Sequence, residues 1–285
     1  MSGSDVRMRL ATEHDKEDMI KLLVEGFPLR NARYWQVAWH RLTELAQRSA
    51  QPVLGHVITV EGKLVGLVLY IERPSNSPDG STRYVNLSSW YVKPDYRSFA
   101  TLLLSRACKN KEKTFLNVSA AVHTFEICEA LGFKRYSTGQ LATPLLMGPA
   151  AKGRKIEVFR GHHAGLSEND NRLLIDHVGY GCICLVGTAD NESQPFIIVH
   201  RMIKNVLPSS QLIYCRSLDT FIPFARSIGI LLARRGIFST ILDSRGAIKG
   251  LRGRYYEGRS PKYYKGPLEP TLCDLSYTEL ALFGI

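Results

Sequence analysis

The stretch 53–92 constrains this chain more than any other part of it. Residues 53–60 and 64–71 are two alternating, apolar-rich runs joined by Glu61-Gly62-Lys63. So short a joint carrying a glycine predicts an antiparallel hairpin, because a tight turn needs a residue that tolerates positive φ. Tyr84–Val92 alternates in the same way and reads as a third strand. A chain with three such runs in 40 residues must build its core on a sheet.

Helical signals surround that sheet. Residues 6–10 read as a short strand, and Thr12 as a helix N-cap followed by Glu13, Asp15, Glu17 and Asp18, where a helix dipole favours negative charge. A second helix is predicted over Ala32–Ala46, with Trp35, Trp39, Leu42 and Leu45 at helical spacing. After the third strand come a turn-rich segment at 74–80, a helix at 99–111, a strand at 114–118, a helix at 122–131 and a strand from Phe133. The Gly- and Pro-rich segment 138–153 predicts a linker or crossing strand. Beyond it the order repeats in reduced form: strand at 155–160, helix capped by Ser167, three strands, a long helix at 218–235 ended by Gly236, and a strand at 237–242.

With 285 residues the chain suits two units of about 140. The expected division is a first domain at 1–140, a linker or crossing strand at 141–153, and a second domain at 154–285. The fold class expected is α/β with a mixed α+β sheet: two halves, each a mostly antiparallel central sheet flanked by helices. Hydrophobic residues at 45% against charged residues at 22% exclude wholesale disorder. No apolar run reaches the length of a membrane span, and residues 1–12 lack a signal core, so a cytoplasmic location is expected. The six cysteines have neither disulfide-framework nor zinc spacing and read as free thiols, with no metal site expected. The net charge of +11 favours an anionic partner and does not distinguish a phosphorylated cofactor from nucleic acid.

Two local motifs lie in the first half. One is Trp90-Tyr91-Val92-Lys93-Pro94-Asp95-Tyr96-Arg97, a strand exit of the form V-x-P-x-Y-R; the other is Glu129-Ala130-Leu131-Gly132-Phe133. In this order, and inside this order of elements, they make residues 6–140 resemble the GNAT superfamily of acyl-CoA-dependent N-acyltransferases. The second half resembles a degenerate copy of the same fold, as in tandem members of the family.

The resemblance implies acyl transfer from acetyl-CoA or another acyl-CoA, bound as co-substrate, to a small-molecule or protein amine. It implies that the donor lies along Trp90, Tyr91 and Val92, and that its phosphates meet Arg97, Ser98, Phe99, Ala100 and Thr101. A loop feeding a helix start suits a pyrophosphate, because unpaired amides and the helix dipole converge there. The family's usual glycines are replaced here by Ala100 and Leu102. Its acid tyrosine corresponds to Cys128, which makes the thiol the candidate acid. The third strand carries no carboxylate, so Glu72 is the nearest candidate base. His123 reads as a helix-start residue that can also exchange protons near neutral pH.

Two alternatives stay open. The missing glycines, tyrosine and base fit a catalytically silent binding or regulatory protein of the same fold. The stretch 245–265 interleaves seven basic residues with Tyr255, Tyr256, Tyr263 and Tyr264, a pattern that can track phosphates or stack bases. It also reads as a solvated loop, and nucleic acid is not the expected partner.

Overall fold

A computed structural model describes residues 5–49, 52–74, 84–150, 152–203 and 206–284. The turn-rich segment expected at 74–80 lies outside these residues, save Pro74. The chain forms two compact units. Unit 1 comprises Met1–Lys134, Tyr263–Glu269 and Tyr277–Phe283; unit 2 comprises Arg135–Lys262, Pro270–Ser276 and Gly284–Ile285.

In unit 1, β1 (Val6–Leu10) is followed by α1 (Lys16–Gly26) and α2 (Ala32–Ala46), then by β2 (Gly55–Val60), β3 (Lys63–Glu72) and β4 (Tyr84–Val92). The hairpin of β2 and β3 turns on Glu61 (φ 50°) and Gly62 (φ 79°), both left-handed, as the right-handed twist of the flanking strands demands. α3 (Ala100–Ala107), β5 (Thr114–Asn117) and α4 (Phe125–Ala130) complete the N-terminal part. Strands β1 to β4 are antiparallel neighbours, and β5 joins β4 in parallel.

Alternation along these strands gives the sheet two buried faces. Val68, Tyr70, Val85 and Leu87 pack with Leu103, Leu104 and Cys128 on the side of α3 and α4. α1 and α2 contact the sheet through β3. α1 brings buried Met19, Leu22 and Leu23; α2 brings buried Trp35, Trp39 and Leu42.

Unit 2 begins with β6 (Lys134–Thr143), β7 (Lys155–Val158) and α5 (Glu168–Gly179), whose N-cap Ser167 accepts from the Asp170 amide. β8 (Ile183–Ala189), β9 (Glu192–Ile203) and β10 (Leu207–Tyr214) follow, then α6 (Leu218–Phe221), α7 (Ala225–Ala233) and β11 (Thr240–Ser244). The long helix expected at 218–235 is broken by a 3₁₀ turn at Ile222–Phe224, because Pro223 has no amide to donate. Strands β7 to β10 are antiparallel neighbours, β11 joins β10 in parallel, and β6 joins β11 antiparallel.

The last strand is β12 (Arg254–Lys265), and the chain ends with the short α8 (Glu279–Leu282). Residues Tyr263–Lys265 of β12 pair antiparallel with β5 inside unit 1. Each unit therefore has four antiparallel strands, a fifth in parallel and a sixth antiparallel to the fifth, as a repeated half implies. The sixth strand is Tyr263–Lys265, from near the end of the chain, in unit 1, and β6, from the middle of the chain, in unit 2. Hence the boundary of the first domain, expected at 140, falls inside β6, which belongs to unit 2, and the linker expected at 141–153 begins as strand.

The solvated-loop reading of 245–265 holds for 245–253 and is corrected for the rest. Arg254–Lys265 is strand, Lys262 is buried with Nζ 3.9 Å from Asp243, and Tyr255 shares a 2.8 Å hydrogen bond with Thr138. Tyr263 is wholly buried. Tyr255 and Tyr263 are spent on these contacts, whereas Tyr256 is half-buried with the Arg254 and Arg259 guanidinium groups over its ring. Among the described residues no helix is long and apolar enough to cross a membrane.

Candidate functional site

The site lies in unit 1, where β4 and β5 part. Their parallel ladder runs from Tyr84↔Thr114 to Asn86↔Leu116. Farther along, β4 continues against β3 alone. Between Ser88 and Tyr91 it takes three steps while β3 takes two, from Leu69 to Leu67. The extra residue is a bulge, and Ser89 at φ 53° carries the left-handed backbone. A bulge bends its strand and disrupts the local ladder, which opens a wedge between β4 and β5.

Two cavities of about 510 and 280 Å³ occupy this wedge and share Trp90, Tyr91, Arg97, His123 and Thr124. Of the eight donor-binding residues expected from the sequence, five line the larger cavity: Trp90, Tyr91, Val92, Arg97 and Ala100. Ser98, Phe99 and Thr101 do not line it; Phe99 packs on the core. The backbone here differs from an open phosphate loop. Pro94–Phe99 winds into a 3₁₀ helix leading into α3, and the Ala100 amide already donates to the Arg97 carbonyl. The Arg97 guanidinium beside this turn is exposed.

His123, Thr124 and Ile127 form the opposite wall, from the start of α4 and the turn before it. His123 is exposed and lines both cavities. Tyr91 also faces both; its hydroxyl donates to Glu25 at 3.1 Å. Partial burial first, then that carboxylate, push the phenol above its usual range. Lys93 closes the group with a 2.9 Å ion pair to Glu25.

Neither sequence-based candidate for acid or base reaches the wedge. Cys128 is fully buried in the α3–α4 core, and its sulfur accepts from Asn117 Nδ2 at 3.6 Å. Burial pushes the thiol up, partly offset by that hydrogen bond. The helical spacing that aligned it with a catalytic tyrosine turns it inward, while Ile127 faces the cavity. Glu72 pairs with Val85 at the far end of β4 from the bulge and holds a 2.6 Å ion pair with Lys113. It is a structural carboxylate.

A different carboxylate stands near the smaller cavity. Glu279, at the start of α8, is completely buried in unit 1. Its Oε2 accepts from Asn86 Nδ2 on β4, and its Oε1 accepts from Ser119 Oγ just beyond β5. Ser119 is exposed and lines the smaller cavity. The sequence carries no local signal for this cluster, since 160 residues separate Ser119 from Glu279.

No family model and no curated protein matches the chain. Solved structures do. A GCN5-related N-acetyltransferase from Anabaena variabilis superposes with a TM-score of 0.60 at 10% identity, over 91% of this chain and 72% of that one. One from Kribbella flavida gives 0.57 at 10%, over 92% and 71%. A Pyrococcus horikoshii protein described as a candidate acetyltransferase gives 0.56 at 12%, over 97% and 93%. The chain has the GNAT fold that its two motifs suggested.

Proposed function

We propose that the chain is an acyl-CoA-dependent N-acyltransferase whose donor lies in the wedge of unit 1. The observation that carries this reading is the bulged parting of β4 from β5 beside Arg97, in a fold shared with N-acetyltransferases. The thioester would lie along Trp90, Tyr91 and Val92, where the β4 edge beyond Asn86 can offer backbone donors to the carbonyl oxygen. Arg97 would meet a phosphate. The acceptor nitrogen attacks the thioester carbon, the C–S bond breaks, and the thiolate leaves with the bonding pair. His123 is the nearby group that can give that thiolate a proton.

Thermal shift with acetyl-CoA tests the reading. A ligand present at 100 times its dissociation constant stabilises by about 2.7 kcal/mol, which raises the melting temperature by several degrees. No shift at millimolar acetyl-CoA refutes it. Arg97→Ala should weaken binding about tenfold or more, the worth of a hydrogen bond to a charged group.

A second reading, a protein of this fold that binds without transferring an acyl group, is favoured by the Ala100 amide being spent on Arg97. Binding of acetyl-CoA without turnover in the presence of any amine separates the two.

A further inference from the structure

We infer that Ser119 and Glu279 form the route by which a protonated acceptor amine loses its proton; this rests on the acyltransferase reading. An amine that is an ammonium ion in water cannot attack a thioester until it is deprotonated. Such a step needs a proton acceptor within reach of the cleft. Side chains of the wedge that can change charge are Tyr91, Arg97 and His123. The Tyr91 phenol is held up and bonded to Glu25, and a guanidinium stays protonated. His123 stands on the α4 wall with Ile127, opposite β4, where a leaving thiolate would be met.

Glu279 answers the need from the other side. Asn86 and Ser88 alternate with the core residues Val85 and Leu87, so they point away from α3 and toward the face occupied by α1, α2 and α8. Asn86 holds one carboxylate oxygen of Glu279, and Ser119 holds the other. Asn86 and Ser119 are neutral donors that orient the carboxylate. Arg41 and Tyr34 of α2 belong to the same neighbourhood, since both Arg41 and Glu279 act on the Tyr34 hydroxyl. The Ser119 hydroxyl spans the gap, exposed on the cavity side and bonded to the buried carboxylate on the other.

The steps balance. The ammonium gives one proton to Ser119 Oγ as the Ser119 proton passes to Glu279, leaving a neutral amine and a carboxylic acid. The amine forms the C–N bond and the C–S bond breaks. The second nitrogen proton ends on the thiol, and Glu279 later returns its proton to water. Glu279 acts through Ser119 as a positioning and proton-accepting residue.

Two acceptors of similar shape test this at pH 7: benzylamine, which is protonated there, and aniline, which is not. Glu279→Gln and Ser119→Ala should cut turnover of benzylamine by about 10²-fold while leaving aniline within about threefold of the parent enzyme. Acetyl-CoA binding by each variant, measured in parallel, shows that the fold is kept. Equal losses on both amines reduce the pair to a structural contact and overturn the inference. So does a wild-type protein that binds acetyl-CoA but transfers to neither amine, which leaves the donor cleft standing. Failure to bind acetyl-CoA refutes the acyltransferase reading itself. If Glu279→Gln does not fold, Ser119→Ala and Ser119→Cys carry the same comparison, since Ser119 is exposed.

Discussion

Gly26 closes α1 directly against the ring of Tyr91. A methyl group at this position would lie 2.4 Å from Tyr91 Cγ, 2.6 Å from Cδ2 and 2.8 Å from Cδ1. Carbon atoms pack at about 3.5–4.0 Å, so Gly26→Ala forces the ring to retreat by about 1 Å. The ring is flanked by Phe27, with centroids 6.4 Å apart, and tethered through its hydroxyl to Glu25. Its remaining free side is the wedge, because Tyr91 lines both cavities. Overpacking of this kind costs about 1–3 kcal/mol. If the ring moves into the donor site, that cost appears as acetyl-CoA binding weakened by about 5- to 150-fold.

The assay is a titration of acetyl-CoA against the parent, Gly26→Ala, Tyr91→Ala and the double variant. In the Tyr91→Ala background the added methyl meets no ring, and alanine is the better helix former by about 1 kcal/mol. There Gly26→Ala should leave affinity unchanged and hold or raise the melting temperature. An unchanged affinity in the single variant, or the same loss in both backgrounds, refutes the argument that Tyr91 shapes the donor site through Gly26.

Three further outcomes follow from buried and paired side chains of unit 1. Cys128→Ala should lower stability by about 1–2 kcal/mol through lost packing and leave turnover within about threefold; a hundredfold fall in kcat with the fold intact would return the thiol to the chemistry. Lys113→Met should destabilise more than Glu72→Gln in urea melts, because it leaves the nearly buried Glu72 carboxylate without its 2.6 Å partner; the reverse order would contradict the burial argument. Asp15 is gripped by two 2.6 Å bonds from Arg9 and by the Thr12 amide and hydroxyl at 2.8 Å, and the Arg9 guanidinium above all holds its carboxyl well below the usual range. A depressed carboxyl contributes stability that is present above its unfolded value, near pH 4, and lost as pH falls through the folded one. Asp15→Asn should therefore cost stability at pH 7, and the gap to the parent should narrow steadily below pH 4; a constant gap would remove Asp15 from the pH response.

Local order was legible because local periodicity survives folding. Ala32–Ala46 and Tyr84–Val92 have the bounds that their alternation and helical spacing predict. One wall of the wedge was legible for the same reason: β4, the turn after it and the start of α3 are contiguous, so one motif carries Trp90 through Arg97. The limits are equally physical. Pro223 breaks a stripe that is apolar enough to read as one helix. The resemblance puts an acid four residues before Gly132, at Cys128, but the turn of α4 points that side chain into the core and Ile127 into the cavity.

The contact of Glu279 with Asn86 and Ser119 has no contiguous signature because of how the strands are exchanged. β5 needs a partner on its second edge, and Tyr263–Lys265 supply it, so the chain re-enters unit 1 near its end. The apolar run Leu280, Ala281, Leu282 and Phe283 then packs down, with Arg41 donating to the Leu282 carbonyl and Trp35 against the Phe283 ring. That this tail carries Glu279 with it, into contact with Asn86 and Ser119, depends on which sheet the tail joins, and strand exchange decides that. A carboxylate costs free energy to bury unless it is hydrogen-bonded, and the hydrogen bonds from Asn86 and Ser119 offset that cost for Glu279.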